Sequence, residues 1–535
     1  MLRRAHLMRS PTLRGHLSIT TMTLIGTLLV FSSASQAKEA TASKSTADST
    51  QCSALRNVSL PGANITGVEF ISGDFVPPSA LADTLRGGKS TTISQLPPVC
   101  RVTLTVAPKI NVEVWLPTGN AWNGRFQAIG NGGYAGFIPY DAVAVAAKGG
   151  YATAATDTGH AASSLDGRFA LNADNTIADE LVEDFAHRSV HEMTLNTKKL
   201  IEAFYRSPAR YSYWNGCSTG GRQGLMEVQR YPADYDGVLA GAPAIHWDRF
   251  IVSEIWPQVV MQQELGNPIA AEKLTALSKA IVDNYDKVDG VNDGVITNPG
   301  QITVSDEVLK SAGLTDKERL AVRKIWEGPR GVDGKFLWHG LEPTAPFTGI
   351  AGPKPFPIPV AYLGLWIKQN PEWDWKTLDY AGFEKIFEQS QQRYNSIIGT
   401  DNPDLSAFNK AGGKLIMWHG WDDQLIFPKG TISYYEQVVK AMGGEGKTNE
   451  FARLFMAPGV EHCRGGAGPN QIAGMDALTT WVEQKKAPEQ LSARKVVEGK
   501  TVLERPLCSY PAQAVYDGHG DTHNVGSFTC KTVTP

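Results

Sequence analysis

Between Cys100 and Pro243 the chain moves back and forth between two hydrophobic periods. "RVTLTVAP" and "NVEVWLP" alternate every second residue and predict half-buried strands, and "GRFQAIGNGG" is a strand running into a glycine turn. "YATAATDTGH" follows. Then comes "ADELVEDFAHRSVHEMTLNTKKLIEAFYR", whose apolar residues recur at three- and four-residue spacing and predict a helix. A strand in "YSYWNGC", a helix in "RQGLMEVQRY" and a buried strand in "YDGVLAGAP" complete the run. Strands alternating with helices predict an α/β fold, a mostly parallel sheet covered on both faces. From 246 to 408 the pattern breaks into a tryptophan-rich stretch with a proline cluster, "GPKPFPIPV", and few strand signals. It resumes in "GKLIMWHGWDD", "ISYYEQVVKAM" and "FARLFMAPGVEHC". The expected organisation is one α/β domain in two parts, 52–245 and 409–535, interrupted by an inserted lid at 246–408.

The N-terminus reads differently. Arg3, Arg4, Arg9 and Arg14 precede an apolar stretch from Leu17 to Phe31, and Ser35 and Ala37 stand at the −3 and −1 positions of a cleavage site. Residues 1–37 therefore predict a signal peptide and export, and 38–51 a solvated, disordered spacer. Removal of the leader takes 51 basic residues to 47 against 54 acids, a net charge of −7 rather than −3. That charge, without a basic stripe, argues against nucleic acid as a partner. No apolar run is long enough to predict a membrane span once the signal is cleaved. The six cysteines, Cys52, Cys100, Cys217, Cys463, Cys508 and Cys530, contain no C-x-x-C pair. An even count in an exported chain predicts three disulfides, whose pairing spacing alone leaves open.

Chemistry concentrates in Gly216-Cys217-Ser218-Thr219-Gly220, a G-x-S-x-G motif with a strand before it and a helix after it. Such a turn strains the serine, and its flanking glycines leave room for neighbouring chain. The hydroxyl then projects at a helix N-terminus. A serine nucleophile needs a base, and the base an orienting carboxylate. The resumed strands end in Trp421-Asp422-Asp423 and in Glu461-His462-Cys463, giving the order Ser…Asp…His, with either aspartate a candidate. Cys217 adjoins Ser218 and Cys463 adjoins His462. If serine and histidine meet, the two cysteines are close enough to bridge. In "DNYDKVDGVNDGVI", Asp286, Asp289 and Asp293 offer hard oxygen ligands for Ca²⁺, although the EF-hand spacing is absent and an acidic turn is the alternative.

"GCSTGGRQGLMEVQRYPADYDGVLAGAPA", "HGWDDQLI" and "PGVEHCRGG" closely resemble the tannase and feruloyl esterase family of α/β-hydrolases, and the resemblance covers about residues 50 to 535. It implies a Cys217–Cys463 bridge, with Cys52–Cys100 and Cys508–Cys530 as N- and C-terminal bridges. The family's H-G-x-x-D spacing, here His419 to Asp423, selects Asp423. The oxyanion donors it implies are the backbone N–H groups of Thr219 and Gly133. It also implies a structural calcium in the lid, completed by the carbonyls of Val291 and Val295.

The function so implied is a secreted or periplasmic serine esterase. It would act on small esters of phenolic acids such as ferulate, p-coumarate or gallate, free or attached to plant polysaccharide or tannin. Five lid tryptophans, Trp326, Trp338, Trp366, Trp373 and Trp375, are the group expected to supply a stacking surface. A terephthalate-monoester hydrolase of the same family would use a lid arginine, which "NPEWDWKTLDY" lacks. A non-catalytic binding module on this fold would be expected to have lost Ser, Asp or His.

Overall fold

The computed structural model describes residues 48–78 and 92–533, so the expected leader lies outside the described residues. Residues 48–51, the described end of the expected spacer, are helical. The segment leads straight into Cys52, which a disulfide ties to Cys100.

Nine strands form the main sheet in the order β1-β2-β3-β5-β4-β6-β7-β8-β9. They are β1 (Ala63–Phe75), β2 (Ile93–Val106), β3 (Ile110–Pro117), β4 (Arg125–Ile129), β5 (Ala152–Thr156), β6 (Tyr211–Cys217), β7 (Gly237–Gly241), β8 (Lys414–Gly420) and β9 (Ala452–Ala457). From β1 to β5 the neighbours are antiparallel, and from β5 through β4 to β9 they are parallel. The inner strands read as continuous apolar runs because both faces are covered. Successive residues of one strand feed opposite cores. Tyr213, Ile416 and Phe455 pack with Leu478 and Trp481 on one face, while Trp214, Met417 and Leu454 pack with Leu200, Leu225 and Val438 on the other.

The covering helices follow their apolar spacing. In Ser189–Tyr205 the buried Val190, Met193, Thr197, Leu200, Ile201 and Phe204 recur at three and four, as a helix packed on a sheet requires. The long helix expected before β6 is not uniform, since Asp184–Arg188 forms a π-helical turn. There the carbonyls of Phe185 and Ala186 accept from the buried Arg222 guanidinium, which gives the widened turn a partner.

Between β7 and β8 the chain is helical, with Trp247–Ser253, Trp256–Leu265, Ala271–Tyr285, Asp316–Glu327 and Tyr380–Ile398 as its longer elements. This insert shares one apolar core with Tyr134, Val182 and Phe185 from the segments that follow β4 and β5. After β9 come two small antiparallel sheets, one of β10 (Gln471–Ile472), β11 (Gln490–Val497) and β12 (Lys500–Cys508), the other of β13 (Gln513–Tyr516) and β14 (Phe528–Lys531).

Candidate active site

Ser218 stands between the last residue of β6 and the first of the helix Thr219–Arg230, at φ 65° and ψ −127°. This backbone is strained for a residue with a Cβ, and its neighbours hold it there. The Ser218 N–H donates to the Gly241 carbonyl at the end of β7, and the Ser218 carbonyl accepts from Arg222 and Ala244. The tight reversal brings backbone against backbone. A Cβ on Gly216 would lie 2.5 Å from the Gly220 carbonyl oxygen, so the motif's flanking glycines are steric requirements.

The ends of the next parallel strands deliver the other two groups. His462 Nε2 lies 2.9 Å from Ser218 Oγ, and His462 Nδ1 lies 2.8 Å from Asp423 Oδ2. Asp423 follows β8, and its Oδ1 accepts from the N–H groups of Leu425 and Ile426. Burial alone would raise the Asp423 carboxyl, but the His462 and His419 rings beside it hold it well below the usual carboxylate range. Asp422 turns the other way, accepting from Thr344 Oγ1 at 2.6 Å. Burial pushes it up to about 7, with the Glu461 and Glu342 carboxylates adding to the effect.

His419 had no role in the sequence beyond marking the spacing to Asp423. It is fully buried, with Nε2 facing Asp423 Oδ2 at 3.0 Å and the Ile426 carbonyl at 3.2 Å, and Nδ1 2.8 Å from Thr431 Oγ1. Two acceptors at Nε2 assign the ring proton there, so His419 donates to the carboxylate that faces His462. The signal was present, a histidine four residues before the aspartate, but its burial was not.

Cys217 and Cys463 are bridged with Cα atoms 6.0 Å apart, joining the elbow to the loop that carries His462 across 246 residues of sequence. Cys52–Cys100 and Cys508–Cys530 are the other two disulfides. Gly133 and Thr219 meet beside Ser218, with Thr219 Oγ1 donating to the Gly133 carbonyl at 2.6 Å. Gly133 has φ +56°, and a Cβ there would lie 2.2 Å from the Ser164 carbonyl oxygen, so only glycine fits.

A partly open cavity lies over Ser218 and His462. Trp247, Phe250, Ile251, Phe356, Ile358, Leu425 and Ile426 make its walls apolar, and Glu254 also lines it. None of the five tryptophans expected to stack on substrate is among the lining residues. Trp338 packs in the core of the insert, Trp366 is buried with its indole N–H on the Gly167 carbonyl, and Trp326, Trp373 and Trp375 pack partly buried against that core. The lining tryptophan is Trp247, at the very start of the insert.

Asp286, Asp289 and Asp293 lie on one loop of the insert. Asp286 accepts from the Gly294 N–H, Asp289 from Val291 and Thr297, and Asp293 from Val295 and from the Arg505 guanidinium. Burial raises the Asp293 carboxyl and the neighbouring Asp289 and Asp286 add to this, against Arg505. Among the described residues, the carboxylate and imidazole set that converges within 4.8 Å is a different one, His191, Glu227 and Asp234. There Lys198 Nζ lies on the Asp234 carbonyl, His191 faces the Asp234 carboxylate, and burial raises the Glu227 carboxyl well above its usual range.

A serine raised on a strand-to-helix turn above a parallel sheet is the arrangement of the α/β-hydrolases, and the fold places the chain in that class. The family model described as tannase and feruloyl esterase matches residues 93–356 and 361–531. A probable feruloyl esterase of Arthroderma benhamiae is 38% identical, over 90% of this chain and 93% of that one. The crystal structure of feruloyl esterase B from Aspergillus oryzae superposes with a TM-score of 0.81 at 27% identity, covering 90% of this chain and all of that one. The tannin acyl hydrolase from Aspergillus niger shares the fold, with a TM-score of 0.77 at 24% identity over 90% and 94% of the two chains. The chain belongs to the tannase and feruloyl esterase family, and it is a carboxylic ester hydrolase.

Proposed function

We propose that Ser218, His462 and Asp423 form a catalytic triad that hydrolyses esters of aromatic, chiefly phenolic, acids through an acyl-enzyme. The observation that carries this is the continuous hydrogen-bonded chain from Ser218 through His462 to Asp423, opening onto an apolar, aromatic-lined cavity. His462 Nε2 takes the Ser218 proton as Oγ attacks the ester carbonyl. The N–H groups of Gly133 and Thr219 receive the developing oxyanion, the second at the positive end of its helix. His462 then protonates the leaving alcohol, and the same ring activates the water that releases the acid. Asp423 fixes the ring's tautomer and stabilises its charged form. His419, Leu425 and Ile426 hold Asp423 in place.

Trp247, Phe250 and Phe356 favour a planar acyl group, and the names of the relatives point to ferulate-type and tannin-type esters. No lysine or arginine lines the cavity, which favours phenolic acids over a terephthalate monoester, whose free carboxylate would need a cation. Retention of all three triad residues disfavours a non-catalytic binding module. Comparing kcat/KM on methyl ferulate and methyl gallate, with Ser218→Ala as the blank, tests the reading. Turnover of neither ester would refute the substrate class.

Export to an oxidising compartment, secreted or periplasmic, is supported by the pairing of all six cysteines. Calcium at Asp286, Asp289 and Asp293 is a further part of the proposal. The donors are hard oxygens that repel one another, and among the described residues the Val291 and Val295 carbonyls accept no hydrogen bond. A cation held there would stabilise the insert and take no part in ester chemistry.

A further inference from the structure

The cavity over Ser218 is apolar on every side but one. Glu254 follows the helix Trp247–Ser253, its N–H bonded to the Phe250 carbonyl at the helix end, and its side chain lines the cavity together with Ser218 and His462. The residue is 2% exposed, and its Oε2 is fully buried with no hydrogen-bond partner. On the same wall, seven residues earlier and so on the same helical face, the Trp247 indole N–H is likewise buried without an acceptor. A buried carboxyl with no partner costs stability, and one that borders the cavity over the serine is placed for a ligand to complete it. The walls around it supply no cation that would keep it for structural reasons, since every other residue lining the cavity is uncharged apart from the His462 ring.

We infer that Glu254 is the specificity-determining residue of the acyl pocket, hydrogen-bonding a ring hydroxyl of the bound aromatic acid. This rests on the aryl-ester reading above and narrows it to hydroxylated rings. Burial raises the Glu254 carboxyl well above its usual range, with the Asp423 charge adding to this. A carboxyl accepts from a phenolic O–H whether or not it is ionised, and its protonated form also donates to the phenol oxygen. A ring without a hydroxyl leaves that carboxyl unpaired in an apolar pocket, and such sites reject the analogue far more strongly than an added methylene would be rejected.

The test compares kcat/KM for two matched pairs, methyl p-coumarate against methyl cinnamate and methyl 4-hydroxybenzoate against methyl benzoate. The wild-type enzyme, Glu254→Gln and Glu254→Leu are each measured. In at least one pair the wild type is expected to favour the hydroxylated ester by more than about tenfold. Glu254→Gln, which still donates and accepts, retains most of that preference, and in Glu254→Leu the ratio falls to near one. A wild-type ratio near one in both pairs overturns the inference without any variant, as does a ratio that survives in Glu254→Leu. Absence of turnover on all four esters, with Ser218 still labelled by a fluorophosphonate, instead overturns the aryl-ester reading on which this rests.

Discussion

Asp422 and Asp423 are chain neighbours held in opposite electrostatic states. Asp423 faces two imidazoles and two backbone N–H groups and stays ionised, whereas Asp422 is pushed up to about 7 by burial and by nearby carboxylates. Composition cannot separate them, and the residue-level reading left both open; only the resemblance to the family, through its H-G-x-x-D spacing, pointed to Asp423. The difference lies in which residue the turn after β8 directs at His462, and that is set by the register of the strand. Asp423→Asn should cut kcat on the order of 10⁴-fold, because the amide no longer enforces the productive tautomer. Asp422→Asn should leave kcat close to wild type, since an amide oxygen still accepts from Thr344. Steady-state kinetics on one ester checks both, and equal losses would contradict the assignment. Glu254 and Trp247 were not legible in the sequence. Each is one glutamate or tryptophan among many until the insert's first helix is docked over Ser218.

At the scale of elements, β6, the elbow, β8 and β9 are legible because each strand carries a short, largely apolar buried segment next to a glycine or a charge. β1 is not legible. Its exposed face is polar, and register shifts near Gly67 and Gly73 interrupt the alternation of "ANITGVEFISGDF". β11 fails for a related reason, since "QLSARKVV" buries two residues only and carries its charges outward. The pairing of Cys217 with Cys463 was legible because each adjoins a residue that the chemistry required to meet. That bridge joins the end of β6 to the loop after β9, and so ties the chain beside Ser218 to the chain beside His462. Replacing both cysteines with alanine should lower kcat more than it raises KM. It should also destabilise the fold by roughly 2–4 kcal/mol, read by chemical denaturation. Undiminished turnover would contradict the positioning role. Chelation with EDTA should lower the thermal midpoint and leave initial turnover nearly intact; no shift in midpoint would remove calcium from the account.

Taken whole, the molecule folds its helical insert and its sheet around shared apolar cores, and several ionisable groups are caught inside. His160, with Nε2 2.7 Å from the Tyr134 carbonyl, is lowered by burial to about 4. His187 is lowered by burial and then by Arg230, whose guanidinium lies on its Nε2, to about 3. Below about pH 6.5 the unfolded chain binds protons at both rings while the folded chain does not. The stability these rings contribute therefore rises with pH across this window and is lost as pH falls, by up to about 1.4 kcal/mol per pH unit for each ring. The buried Asp422 carboxyl, raised to about 7, acts in the opposite sense over the same range, so the test is a difference: from pH 7 to pH 5 at constant ionic strength the thermal midpoint of the wild type should fall relative to that of His187→Gln, and parallel profiles would contradict the burial of this ring as a neutral group. The most direct test of the central claim is to quench turnover of methyl ferulate in acid and map the acylated peptide by mass spectrometry. The account predicts a feruloyl group on Ser218, absent in Ser218→Ala along with all turnover. Acylation at another residue, or hydrolysis that persists in Ser218→Ala, would contradict it.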